Sequence, residues 1–245
     1  MPNLDFCIVI PVYNEEKIIL NTINKALKFL KKYNFKIIIV NDGSNDSSKK
    51  ILSKIRNKKV LTINKKNEGH GKAIITGYKK ALKLNSKFVL QTDSDDQISF
   101  TEFKKLFKYK NKFDCVVGKR KNRKDPFSRI LISFALKVFI FLLFGKYIDD
   151  SNSPLRVMRT NFLKGIIYHI SFSQIPNILI AIAACKKKNY KSVDIIHRQR
   201  YSGSSIKYFK LLKLCIISYF DILKFKFFKW LKLIIWLLVV DFMVR

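Results

Sequence analysis

Five short apolar runs, at residues 6–12, 36–40, 59–64, 88–92 and 114–118, alternate with four stretches of helical periodicity, at 17–32, 46–56, 69–84 and 101–109. Within 17–32, Ile19, Ile23, Ala26, Leu27 and Leu30 recur at the spacing of one helix face. Strands and helices of these lengths in alternation predict an α/β fold, a mostly parallel sheet covered by helices on both faces. Such a sheet binds ligands at the carboxyl ends of its strands. Polar clusters fall at those ends: Tyr13-Asn14-Glu15 after the first run, Asp42 after the second, Asp93 and Asp95 after the fourth, Lys119-Arg120 after the fifth. One or two of these could be ordinary turns, but four on one rim argue for a site.

The acidic cluster is the sharpest of them. The chain has 17 Asp and Glu against 49 Lys and Arg, yet Asp93, Asp95 and Asp96 lie within four positions. Carboxylates this close repel one another unless a cation sits between them. Hard oxygen ligands suit Mg2+ or Mn2+, and such an ion suits a substrate diphosphate. A polar turn capping the next helix is the alternative for an isolated D-x-D pattern.

The net charge of +32 implies a surface that attracts anions: nucleic acid, anionic lipid or a phosphorylated substrate. Neither zinc-finger spacing nor an RNP-type aromatic motif is present, so no nucleic acid is expected as a partner. Cys7, Cys115, Cys185 and Cys215 are widely spaced and form no C-x-x-C, the pattern of buried free thiols in a reducing compartment. The N-terminus enters a strand at once, without a signal-peptide pattern, which leads to the expectation of a cytoplasmic location.

The second half changes character. Residues 130–144 are strongly apolar and interrupted by Lys137, about fifteen residues where a bilayer span needs roughly twenty. Arg129, Ser133 and Lys137 are spaced by four and share one helix face. Two readings stand: an amphipathic helix at a membrane surface, or a core helix with one snorkelling Lys. From residue 205 onward, Lys207, Lys210, Lys213, Lys224, Lys229 and Lys232 punctuate Leu, Ile, Phe and Trp, the composition of interfacial helices. The expected division is an α/β half at 1–125, a second half with the amphipathic helix at 126–205 and a membrane-associated helical segment at 206–245.

The motifs, taken in order, resemble the family 2 glycosyltransferases, whose fold is the Rossmann-like GT-A fold. They are Ile10-Pro11-Val12-Tyr13-Asn14-Glu15, Val40-Asn41-Asp42-Gly43-Ser44, Asn67-Glu68-Gly69-His70-Gly71-Lys72-Ala73 and Asp93-Ser94-Asp95-Asp96-Gln97. The resemblance continues through Val117-Gly118-Lys119-Arg120 and Asp150-Ser151-Asn152-Ser153-Pro154-Leu155-Arg156, and ends in the stretch from His197 to Ser205. The D-x-D-x-Q form is similar to the branch of dolichyl-phosphate mannosyltransferase and other polyprenyl-phosphate glycosyltransferases.

The resemblance implies roles. Pro11, Tyr13, Glu15 and Asp42 would line the nucleoside pocket, with Gly69 and Lys72 also on the donor side. Asp95 and Gln97 would hold the divalent metal, and Asp93 would contact donor sugar or ribose. Arg120, Arg129 and Arg200 would grip acceptor or donor phosphate, with Asp95, Arg120 and Arg200 expected to carry catalysis. Arg suits this because its planar fork binds phosphate through two parallel hydrogen bonds. The motif departs from the family at Ile206, where a Lys is common, and at Pro154-Leu155, where Gly-Phe is.

The acceptor decides the chemistry. A sugar hydroxyl needs a base, whereas a lipid phosphate is already anionic. No Asp or Glu lies between Asp150 and Asp194, and Ser173-Gln174-Ile175-Pro176-Asn177 occupies the stretch where relatives acting on hydroxyls place theirs. Asp194 reads as structural and Asp96 as an alternative base. The expectation is an inverting, metal-dependent transfer from a nucleotide-sugar to a polyprenyl phosphate, by a peripheral or monotopic protein on anionic lipid at the cytoplasmic membrane face. Transfer to a carbohydrate hydroxyl, including one on a glycolipid, is the second expectation. A degenerate binding protein without activity is the third, and an intact D-x-D-x-Q counts against it.

Overall fold

The computed structural model describes residues 4–121, 127–198 and 213–227, the side chains of 127–129 excepted. The first half follows the expected alternation: β1 (Leu4–Val12), α1 (Ile19–Leu30), β2 (Phe35–Asp42), α2 (Ser48–Ser53), β3 (Val60–Lys65), α3 (His70–Lys83) and β4 (Ser86–Gln91). A tight turn at Phe100–Glu102 runs into the short α4 (Phe103–Phe107), followed by β5 (Cys115–Lys121). Then come α5 (Phe127–Phe144), β6 (Arg156–Arg159), α6 (Thr160–Ile170), α7 (Pro176–Lys186), β7 (Tyr190–Ile196) and a helix over 213–227, here α8.

The strands form one seven-stranded sheet in the order β3-β2-β1-β4-β6-β5-β7. All neighbours are parallel except β6, which runs antiparallel to both β4 and β5. The sequence reading has no strand here. β6 is only four residues long and opens on Arg156, a residue type that pattern reading keeps out of a core. Arg156 is nonetheless fully buried, because its guanidinium donates to the carbonyls of Asn177, Ser151 and Ser153. Those bonds offset part of the cost of desolvating the charge.

Alternation along each strand divides the core in two. Cys7, Val9, Ile38, Val40, Val89 and Val117 face α3, α6 and α7, with Ile140 of α5 and Ile222 of α8 joining them. Phe6, Ile8, Ile10, Ile37, Ile39, Leu90 and Val116 face α1, α2 and α4. Coverage on both sides is why these strands read as continuous apolar runs. Cys7 and Cys115 are buried free thiols, and burial pushes Cys115 up to about 12, which makes it inert.

α5 divides its surface differently. Ile140 is buried, whereas Ile130, Leu131, Phe134, Val138, Phe141 and Leu142 are exposed. Phe139 stacks on Tyr219 of α8 at 4.8 Å, and α8 in turn exposes Ile216, Tyr219, Phe220 and Phe227. No helix among the described residues is long and apolar enough to cross a membrane.

Candidate active site

The acidic turn leaves the carboxyl end of β4, where the sheet's neighbouring loops converge. Thr22 of α1 donates to the Ser94 carbonyl at 3.0 Å and pins the turn from below. The Gln97 amide donates to the Asp95 carboxylate at 3.3 Å, the self-bonding turn that Asp favours. Asp96 takes the left-handed conformation at φ 56° and pairs with Lys25. This alternative base therefore has its carboxylate engaged by a lysine of α1. Asp93 is the reverse case. Its Oδ1 is buried without a hydrogen bond, 3.5 Å from Nε2 of His70 at the start of α3. A buried carboxylate oxygen left unpaired is costly, and a polar ligand or cation would satisfy it.

Two loops clasp each other beside this turn. Asn14 accepts from the Asn45 amide at 2.8 Å, and the amides of Asn14 and Glu15 donate to Ser44 and Ser48. Tyr13 stands 44% exposed on the rim, whereas Pro11 is buried within β1 opposite Val40. Asp42, also buried, accepts from Lys65 at 2.6 Å, from the Glu68 amide at 3.1 Å and from the Gly69 amide at 2.9 Å. It thus holds the loop that launches α3, a structural task the sequence did not announce. Burial acts to lower the pKa of Lys65, but its hydrogen bonds to Asp42 and Glu68 outweigh this and raise it. Gly69 sits at φ 96°, a conformation L side chains rarely adopt.

Lys72 was expected on the donor side. The structure directs its ammonium to the carbonyls of Ser171 and Phe172, at 3.1 and 2.7 Å, tying α3 to the α6–α7 loop. Gly71 allows the same approach: a Cβ there would lie 2.1 Å from the Gln174 carbonyl oxygen. On the other side of that loop, Asp221 of α8 accepts from Ser173 Oγ at 2.7 Å and from the Gln174 amide at 2.8 Å. Sequence reasoning found no acid for this stretch. The one signal was that Asp221 and Asp241 are the only acids after Asp194.

At the end of β5, Arg120 meets Asp150 in a two-pronged pair, Nε to Oδ2 and Nη2 to Oδ1, both at 2.8 Å. Lys119 pairs with Asp149 at 3.2 Å. The expected phosphate grip of Arg120 is thus shared with a carboxylate. Asp194 pairs with Lys121 on the exposed edge of the sheet, and this partner lowers its pKa. Arg129 opens α5, but its side chain lies outside the described residues, as does all of Arg200. The chain approaching Arg200 is fixed, however. The Arg198 amide donates to the Gln97 carbonyl at 2.9 Å, and Gln97 Nε2 donates to the Arg198 carbonyl at 3.2 Å. That exchange brings the start of the basic segment against the acidic turn, and leaves Oε1 as the Gln97 atom able to meet a cation.

Among the described residues no cluster of three or more His, Cys, Asp or Glu could hold a metal ion unaided. A Mg2+-type site does not need one, since one or two carboxylates plus substrate phosphate oxygens suffice. Asp95, with Gln97 Oε1 two residues on, offers hard oxygens of that kind.

The family model described as Glycosyl transferase family 2 matches residues 7–167. A UDP-N-acetylglucosamine–dolichyl-phosphate N-acetylglucosaminyltransferase of Methanococcus voltae is 30% identical over 222 residues, 81% of this chain and 87% of that protein. An undecaprenyl-phosphate 4-deoxy-4-formamido-L-arabinose transferase of Pectobacterium atrosepticum is 30% identical over 220 residues, 86% of this chain but only 64% of that longer protein. Among solved structures, glucosyl-3-phosphoglycerate synthase of Mycobacterium tuberculosis, in complex with Mn2+, UDP-glucose and phosphoglyceric acid, superposes with a TM-score of 0.66 at 14% identity, covering 91% of this chain and 80% of that one. That likeness shows the fold.

Proposed function

The chain belongs to glycosyl transferase family 2 and is a glycosyltransferase, and we propose that it moves a sugar from a nucleotide-sugar to a polyprenyl phosphate, undecaprenyl or dolichyl in type, with inversion at C1. The observation that carries this reading is the exposed apolar residues of α5 and α8, two helices in contact through Phe139 and Tyr219. A contiguous exposed apolar surface marks an interaction site. A lipid-borne acceptor would explain an apolar surface on a chain that is otherwise so basic. The names of the Methanococcus and Pectobacterium relatives, both polyprenyl-phosphate transferases, support the same acceptor. Residues 1–125 would then serve the donor, 126–205 the acceptor and 206–245 the membrane.

The chain's own groups divide the work as follows. Asp42 holds the loop at Glu68 and Gly69, and Tyr13 and Glu15 stand beside it for the nucleoside. Asp93 offers the oxygen that lacks a hydrogen bond, beside His70, to the donor sugar or ribose. Asp95 and Gln97 would hold Mg2+ or Mn2+, which when bound supplies positive charge against the departing diphosphate. Arg120, kept in register by Asp150, and Arg200 meet phosphate oxygens. An acceptor phosphate oxygen attacks C1 as the nucleoside diphosphate leaves from the opposite side, and no proton has to be removed. The basic surface and the face of α5 and α8 would seat the protein on anionic lipid at the cytoplasmic side.

Transfer to a carbohydrate hydroxyl is the second reading, and Asp221 is the observation in its favour, being a carboxylate beside Ser173 and Gln174. Its Oδ2, however, already accepts two hydrogen bonds from that loop. The pH–rate profile separates the two. A phosphate nucleophile gives a limb that follows ionisation of the lipid phosphate, and a hydroxyl nucleophile gives one set by an enzyme carboxylate.

A further inference from the structure

We propose that Asp221 is a positioning residue that couples the seating of α8 to the geometry of the donor loop. A chain of contacts links them. Asp221 Oδ2 accepts from Ser173 Oγ and the Gln174 amide, and Ser173 Oγ in turn accepts from the Ile175 amide at 2.9 Å. Gln174 reaches across to α3: its Nε2 donates to the Glu68 carbonyl at 3.3 Å, and its own carbonyl fills the space a side chain at Gly71 would need. Glu68 and Gly69 donate their amides to Asp42. One uninterrupted path thus runs from α8 through the 173–175 loop to the carboxylate at the end of β2.

The other faces of α8 suit a coupling element. Ile222, next to Asp221, is fully buried in the core, and Lys224 lies over the Phe172 ring at 4.5 Å. Ile216, Phe220 and Phe227 are exposed, and Tyr219 is half-exposed where it stacks on Phe139 of α5. α8 therefore has one side locked to the α6–α7 loop and one side open. Anything that seats the open side restrains the loop through Asp221. That the open side meets lipid rests on the function proposed above, whereas the positioning role does not.

Hydrogen–deuterium exchange on the full chain tests both parts, using Asp221→Ala and Asp221→Asn. Both hydrogen bonds end on one oxygen, so the Asn variant keeps an acceptor and rescues the loop. In solution, the Ala variant should exchange about tenfold faster at the Gln174 amide, with faster exchange spreading to 68–72, while Asn stays near wild type. Vesicles containing phosphatidylglycerol should then slow exchange at 171–175 and 68–72 in wild type and Asn but not in Ala, although Ala still binds them. Wild-type exchange in the Ala variant overturns the positioning role. Equal vesicle protection in Ala overturns the coupling. Wild type that ignores vesicles sinks the lipid reading and the coupling with it, while the solution comparison still decides the role of Asp221.

Discussion

Helices α3 and α5 arrange their apolar residues in opposite ways: α3 gathers them on one face, whereas α5 carries them nearly all round. α3 buries Ala73, Ile74, Ile75, Tyr78 and Ala81 against the sheet and turns Lys79, Lys80 and Lys83 outward. α5 buries Ile140 and turns Ile130, Leu131, Phe134, Phe141 and Leu142 outward, with Lys137 the one charge along 130–144. The first starts at the loop that Asp42 holds. The second leaves apolar residues exposed. Periodicity reports that a helix forms. The residues on its far side differ: lysines on α3, and on α5 apolar residues with a single lysine among them.

Breaking the rim of the sheet, to which α3 is tied, should have larger effects than breaking the exposed face of α5. Asp95→Ala should lower transfer by about a hundred- to a thousandfold with the fold intact, the scale of removing one group that stabilises developing charge. Wild-type turnover in that variant in the presence of a chelator would remove the metal from the account. Arg120→Ala should cost about ten- to a hundredfold, as expected for roughly 1.5–3 kcal/mol of charge-assisted hydrogen bonding. The loss should appear in steady-state kinetics of the phosphate-bearing substrate. Gly71→Ala should destabilise the fold by about 1–3 kcal/mol in a denaturant titration, since its Cβ would collide with the Gln174 carbonyl. Phe134→Ser with Leu142→Ser should leave the melting temperature unchanged but weaken sedimentation with anionic vesicles. A fall in melting temperature instead would mean that this face packs inward, and the contrast between the two helices would collapse. Asp194→Asn and Asp96→Asn should be mildest, because both carboxylates are already engaged by lysines.

The same contrast explains what could be read from sequence. β1, β2, β3 and β4 fell within about two residues of their expected runs, and in β1, β2 and β4 coverage on both faces explains the lack of polar interruptions. The rim clusters were legible because an acidic turn is conspicuous in so basic a chain. What escaped depends on partners distant along the chain. Arg120 finds Asp150, Lys72 finds Ser171 and Phe172, and Gln174 finds Asp221, none of which leaves a local pattern. β6 escaped because a buried Arg156 is tolerated only once three carbonyls converge on it. The helix at 101–109 shrank to a tight turn and the short α4, its length having been read from apolar spacing alone.

The central claim is that phosphate, not hydroxyl, receives the sugar. It is tested most directly by offering one polyprenol in two forms, phosphorylated and free alcohol, in the same vesicles with a panel of labelled UDP-N-acetylglucosamine, UDP-glucose and GDP-mannose plus Mn2+. The account predicts label in the lipid phase from at least one donor, only when the phosphate is present. Label on the free alcohol, or on an added oligosaccharide without any lipid phosphate, would contradict it.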